Sequence, residues 1–141
     1  MVAHPFFGTL TLDRRLNWYE VEFPWCGRPI RVSFARDDCE EEVELFVTAQ
    51  TLWDDQSGWD ARVRNFASAE LLELKNDGWL QEGEEALTRV QFMDRMALVA
   101  VVVCGDGMFE FTFKDGGMFG GHIIQVSGTL ADGPKDAGIA G

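Results

Sequence analysis

The chain has 141 residues, 46% of them hydrophobic, and a formal net charge of −12, which fits one domain able to bury a sizeable core. That excess of acid argues against nucleic acid and anionic membrane as partners. With no apolar run near about 20 residues and no basic-plus-apolar N-terminal signal, the expectation is a cytoplasmic protein that neither spans a membrane nor is secreted.

The charge is unevenly distributed. Residues 1–36 hold five basic and three acidic residues (+2), residues 37–85 hold three and fifteen (−12), and residues 86–141 hold four and six (−2). Such a block either solvates a helical face or attracts a basic partner. The three cysteines, Cys26, Cys39 and Cys104, are odd in number and lack C-x-x-C spacing, so neither a disulfide framework nor a structural zinc site is expected.

In chain order, Met1 to Phe7 is an apolar lead-in, and Gly8 to Phe34 then alternates with period two. Leu10 and Leu12, then Tyr19, Val21, Phe23 and Trp25, then Ile30, Val32 and Phe34 read as three short strands of an antiparallel meander. Arg14-Arg15 and Cys26-Gly27-Arg28-Pro29 are the turns between them. At Asp37-Asp38 the period changes to 3.6. Asp38 with Glu41 resembles a capping box, and Glu40, Glu41 and Glu42 fall near a helix N-terminus, where the macrodipole favours acid. Leu45, Ala49, Leu52 and Trp53 form the buried stripe of this helix.

Asp54 to Gly58 breaks the pattern, and Ser57 and Asp60 can cap a second helix with the stripe Trp59, Val63, Phe66, Ala67, Leu71 and Leu74. Asn76-Asp77-Gly78 stops it, with glycine expected in a left-handed cap. An acidic loop follows, and Thr88 with Gln91 opens a short helix ending near Met96.

Leu98 to Leu130 is again strand-like. Asp106-Gly107 predicts a two-residue hairpin turn that places Cys104 opposite Phe109, Val102 opposite Phe111 and Ala100 opposite Phe113 on a core face. Cys104 then reads as a buried apolar residue. A third strand, His122 to Leu130, carries Ile124, Val126 and Leu130 on one side, with His122 in phase at its start. The Gly/Ala-rich tail from 131 to 141 has little to bury.

The predicted fold is therefore a single α+β domain: a β-meander over 1–36, a helical segment over 37–96, a second meander over 97–130, and the tail. Its antiparallel sheet of about six strands has two or three helices packed on one face.

Chemical motifs are few. Gly116-Gly117-Met118-Phe119-Gly120-Gly121 joins two strands, contains no Lys and opens no helix, so it reads as a β-connection needing positive φ rather than a phosphate loop. His122, Glu110 and Asp115 share one meander and could form an acid/base site; alternatively, His122 holds the glycine loop by hydrogen bonds to its backbone. No nucleophile motif accompanies them, and neither a cofactor nor a metal site is expected from two histidines and from acids spaced unlike a calcium loop. The five tryptophans read as packing residues, not a base-stacking platform.

Gly8 to Asp13, Trp18, Leu71 to Trp79, Asp115 to Phe119, Gly121 to Ile124 and Asp136 to Gly141 together resemble a family of bacterial proteins known as a domain of unknown function. The resemblance covers nearly the whole chain, with Asn76-Asp77-Gly78-Trp79 and Phe119-Gly120-Gly121-His122 its most specific parts. It implies a bacterial, cytoplasmic, single-domain protein and brings no established activity. The chain departs from the family pattern at Gly120, where a bulky residue is usual, and at Ile123, where a small polar one is usual.

Two functional classes follow. One is a non-catalytic interaction module presenting Glu40, Glu41 and Glu44 to a basic protein, in its sharpest form an immunity-type inhibitor of a basic toxin or nuclease. The other is a small enzyme or ligand-binding domain centred on His122, Glu110 and Asp115. The oligomeric state is not legible.

Overall fold

The computed structural model describes residues 2–36 and 41–141; Cys39, Glu40 and the helix start expected at Asp37-Asp38 lie outside the described residues. The strands are β1 (Val2–His4), β2 (Gly8–Asp13), β3 (Trp18–Trp25), β4 (Arg28–Ala35), β5 (Ala97–Val103), β6 (Met108–Lys114), β7 (Ile123–Thr129) and β8 (Gly133–Ala140). The helices are α1 (Glu42–Asp54), α2 (Gln56–Gly78) and α3 (Arg89–Arg95), all between β4 and β5. The fold is α+β, and the strands form one eight-stranded sheet in chain order. Every neighbouring pair is antiparallel except β4 and β5. That pair is parallel because the chain leaves β4, crosses through the helices and returns in the same direction.

Two strands exceed the expected six. β1 forms inside the apolar lead-in, and the tail is not loose but is strand β8, paired with β7 from Ile123↔Ala140 to Thr129↔Gly133. The strand signal of the tail is weak because glycine and alanine have low strand preference; the open edge of β7 and the cover of α2 supply what the residues lack.

The β5–β6 register also differs from expectation. Val103 pairs with Phe109 and Val101 with Phe111, so the valines at 101 and 103 are fully buried, whereas Ala100, Val102 and Cys104 are half-buried on the other set. The turn is a three-residue loop, Gly105-Asp106-Gly107, closed by the Cys104 N–H donating to the Met108 carbonyl at 2.8 Å. One extra loop residue exchanges the faces of a strand. The phenylalanine face is as expected: Phe109, Phe111 and Phe113 are buried.

The core lies between this face and the helices. Trp59 of α2 meets Phe109 edge-on at 5.3 Å, and Phe7, Trp53, Trp25 and Phe111 continue the contact in T-shaped pairs of 4.8–5.4 Å. Aromatic edges on faces add specific geometry to the area they bury. In α2 the buried positions are Trp59, Val63, Ala67, Leu71 and then Lys75, at strict i+4 spacing, with Ser68 beside them. Phe66 is only half-buried and Leu74 is 43% exposed, because the stripe turns past it and gives the inner position to Lys75. Gly78 remains helical; the end is closed by Trp79, whose N–H donates to the Lys75 carbonyl. The capping box at Thr88 and Gln91 is present, while neither Ser57 nor Asp60 caps α2. No described helix is long and apolar enough to cross a membrane.

Candidate functional site

The loop between β6 and β7 is built around Asp115. Its Oδ1 accepts the Gly117 N–H at 2.9 Å, and its Oδ2 accepts those of Phe119 (2.8 Å) and Gly121 (3.0 Å). Gly116, Gly117, Gly120 and Gly121 all have φ between 60° and 90°, the left-handed region that glycine enters without penalty. At Gly116 a Cβ would also lie 2.5 Å from the Arg95 carbonyl oxygen, so the end of α3 seats directly on the loop. Burial pushes the Asp115 carboxyl pKa up, but the donated N–H bonds stabilise its charge and hold it below the ordinary value.

His122 lies one residue before β7 and is half-buried. Its Nδ1 is 2.5 Å from the Phe119 carbonyl oxygen; since a carbonyl only accepts, the ring carries a proton there. The ring meets Trp79 edge-on at 5.6 Å, and Trp79 in turn meets Phe119 at 5.6 Å. Asp115 and His122 are therefore brought into one loop, where both bond its backbone. Glu110 is not brought to them. It faces the opposite side of β6 from the phenylalanines, accepts a bond from Gln125 Nε2 at 3.1 Å, and lies five residues, about 16 Å, along the strand from Asp115.

The same region holds a charge inside the fold. Lys75 is fully buried, and its Nζ donates to the Trp79 carbonyl (3.0 Å) and to Glu84 Oε1 (2.7 Å). The Lys75 hydrogen bond chiefly, with the Gln81 N–H, holds the Glu84 carboxyl pKa below its usual range. Asn76 uses both ends of its amide on Leu87, accepting its N–H at 2.9 Å and donating to its carbonyl at 3.0 Å. Together these bonds clamp the 79–88 loop onto α2.

Of the acidic residues singled out from sequence, Glu41 is exposed at the N-cap of α1, and Glu44 is half-buried in its first turn. Glu42 is taken up by an ion pair with Arg36 at 2.8 Å. Between the acids stand Val43 and Val47, 58% and 59% exposed and one turn apart. Further acids, Asp54, Asp55, Glu70, Glu73 and Asp77, are exposed along α1 and α2.

A second concave feature has no counterpart in the sequence reading. A cleft of about 550 Å³ opens where the β3–β4 turn, α2, α3 and the start of β5 converge. Asp60 and Arg64, one helical turn apart, form its polar wall: Asp60 accepts from Trp25 Nε1 at 3.1 Å and from Arg64 Nε at 2.9 Å. Arg64 Nη1 also donates to the carbonyls of Met93 and Met96 at the end of α3, and the guanidinium lies over the Phe113 ring. Cys26 sits at the rim in a left-handed turn conformation (φ 49°). Burial, then the Asp60 carboxylate, pushes its thiol pKa up, despite an opposing pull from Arg64. The parts of this cleft come from three separate stretches, 25–30, 60–65 and 93–98; only the Asp60/Arg64 spacing of four was visible locally.

The chain belongs to the family described as "Uncharacterized protein conserved in bacteria (DUF2262)", whose model matches residues 4–139. Neither the curated proteins nor the solved structures give a match to it.

Proposed function

We propose that the protein is a non-catalytic interaction module that offers the acidic outer face of α1 to a basic partner protein. The observation that supports this most is the pair Val43 and Val47, nearly three-fifths exposed and flanked by Glu41 and Glu44. β-Branched residues are indifferent helix formers, and an apolar pair open to water contributes little to the fold. Such a pair beside the acids Glu41 and Glu44 matches the composition of a docking patch: apolar surface for affinity and charge for encounter. An inhibitor that covers a basic toxin or nuclease is the sharpest form of the proposal. The rival centred on His122 has less support, because Asp115 and His122 already spend hydrogen-bonding capacity on their own loop and Glu110 lies on another face.

The test is affinity capture of a basic protein from a bacterial lysate by four forms of the chain, wild type and three variants, with polylysine as the control for charge alone. Glu41→Lys with Glu44→Lys should slow association at least tenfold at physiological salt, and Val43→Ser with Val47→Ser should shorten the complex lifetime. Both pairs should leave the melting temperature nearly unchanged, since exposed charges and apolar groups contribute little to stability. Undiminished capture by the charge-reversed form, or loss of capture on His122→Ala in a folded protein, would refute the proposal.

A further inference from the structure

We infer that the cleft between the β3–β4 turn and α2 binds a small organic anion, whose acid group is held by Arg64 and Arg28 and whose apolar body lies against Met93 and Leu98. This site is independent of the α1 face. Its volume, about 550 Å³, falls within the range of small-molecule pockets.

The polar side of the argument rests on how Arg64 is used. A guanidinium carries five N–H donors in a fixed plane. Three bonds account for Nε and Nη1: one to Asp60 and two to the carbonyls that end α3. No bond to Nη2 is found among the described residues, and Nη2 is not among their buried atoms lacking a partner. It is therefore accessible, on a side chain that lines the cleft. Asp60, fixed by Trp25 Nε1, and the stacking on Phe113 hold the plane in place, so the free edge is positioned before any ligand arrives. One nitrogen is half of the fork that grips an acid group, and the exposed Arg28, which also lines the cleft, supplies a second cation.

The apolar side is supplied by Met93, Leu98 and the edge of Trp25. Leu98 stands where β5 is bulged against β6, between Leu98 and Ala100. Bulges recur beside binding sites because they re-aim a side chain. The overall charge of −12 does not forbid an anion here: Asp60 and Asp94 also line the cleft, but Asp60 is engaged by Trp25 Nε1 and Arg64 Nε, which sets Asp94 alone against Arg28 and the free edge of Arg64. Carboxylate and phosphate share this chemistry.

Benzoate, phenyl phosphate and the neutral isostere benzamide would be titrated against ¹⁵N-labelled protein while following the Trp25 indole N–H, which lies at the cleft and bonds Asp60. One of the two anions should give a saturable shift with a Kd of about 1 mM or tighter, and benzamide should bind at least tenfold more weakly. Stronger binding of benzoate assigns a carboxylate, and stronger binding of phenyl phosphate a phosphate ester. Arg64→Lys keeps the charge but loses the fork, and should weaken binding about tenfold or more. Because that change also touches the α3 carbonyls, Arg28→Gln serves as the second variant and should weaken binding several-fold with the spectrum otherwise unchanged. Equal binding of benzamide, binding retained by Arg28→Gln, or no saturable shift from either anion would overturn the inference.

Discussion

Replacing Asp115 tests the construction of the β6–β7 loop most directly. In Asp115→Ala three backbone N–H groups lose a charged acceptor, and hydrogen bonds to charged groups are worth about 1.5–3 kcal/mol each. The Phe119 bond is buried and should count in full, whereas the Gly117 and Gly121 donors are part-buried and can recruit water, leaving about 0.5–1 kcal/mol each. The expected loss is about 3–5 kcal/mol, a large share of the stability of a small domain. Asp115→Asn should cost less, about 2 kcal/mol, because one oxygen can still face Phe119 and Gly121 while an amide donor opposes Gly117. The pH dependence has a definite sign. The folded pKa of Asp115 lies below the unfolded value of about 3.9, so its contribution is complete above that value and is lost as pH falls through the folded pKa. Urea unfolding followed by tryptophan fluorescence between about pH 7 and pH 3 should show a constant gap between wild type and Asp115→Asn that narrows only below about pH 4. A cost under about 1 kcal/mol for Asp115→Ala, or a gap that widens with acid, would refute the reasoning.

Two further pairs of substitutions check the loop and the hairpin. Gly116→Ala should destabilise by at least about 2 kcal/mol, because a left-handed φ is combined with a Cβ 2.5 Å from the Arg95 carbonyl, whereas Gly117→Ala, with open space around it, should cost only about 1 kcal/mol. Equal melting temperatures for the two would show that α3 does not rest on the loop. Val103→Ala should cost about 2–3 kcal/mol and Val102→Ala under about 1 kcal/mol by the same unfolding assay, following the burial of Val101 and Val103. The reverse order would restore the two-residue turn.

What was legible from sequence had strong local chemistry behind it. The strands around Tyr19 and Phe109 and the Thr88/Gln91 box formed, and of the stripe read for α2 Trp59, Val63, Ala67 and Leu71 are buried, while Phe66 and Leu74 are not and Gly78 continues the helix. The hairpin register failed on a single residue: Asp106-Gly107 carries the turn signal, yet Gly105 joins the loop and reverses the faces of β5. The strand at 133–140 was missed because pairing and cover, not side-chain preference, create it. Lys75 at an inner helical position was hidden for a related reason: its partner Glu84 lies beyond the end of the helix, in a loop whose path no local pattern specifies. Of the candidate site, the placement of Asp115 and His122 in one loop followed from chain proximity, but Glu110 shows its limit, since residues on one strand share a site only when they also share a face.

Two stretches of the family resemblance, Leu71 to Trp79 and Asp115 to His122, meet in one part of the molecule. Asn76, Trp79, Asp115, Phe119 and His122, with Lys75 beside them, meet where the end of α2, the 79–88 loop and the β6–β7 loop touch. Both ends of the Asn76 amide are bonded to Leu87, and both Asp115 oxygens to backbone N–H groups. Asn76, Asp115 and the Nδ1 of His122 are thus engaged in holding two loops that lack regular structure of their own. A buried Lys–Glu pair adds less stability than apolar residues of equal volume would, so its use here is better understood as fixing where the 79–88 loop lies. These bonds fix the path of the two loops. On the two readings proposed above, binding falls to groups with capacity left, the exposed valines among the acids of α1 and the free edge of Arg64, and substitutions of Val43, Val47 and Arg28 should change binding without changing the fold.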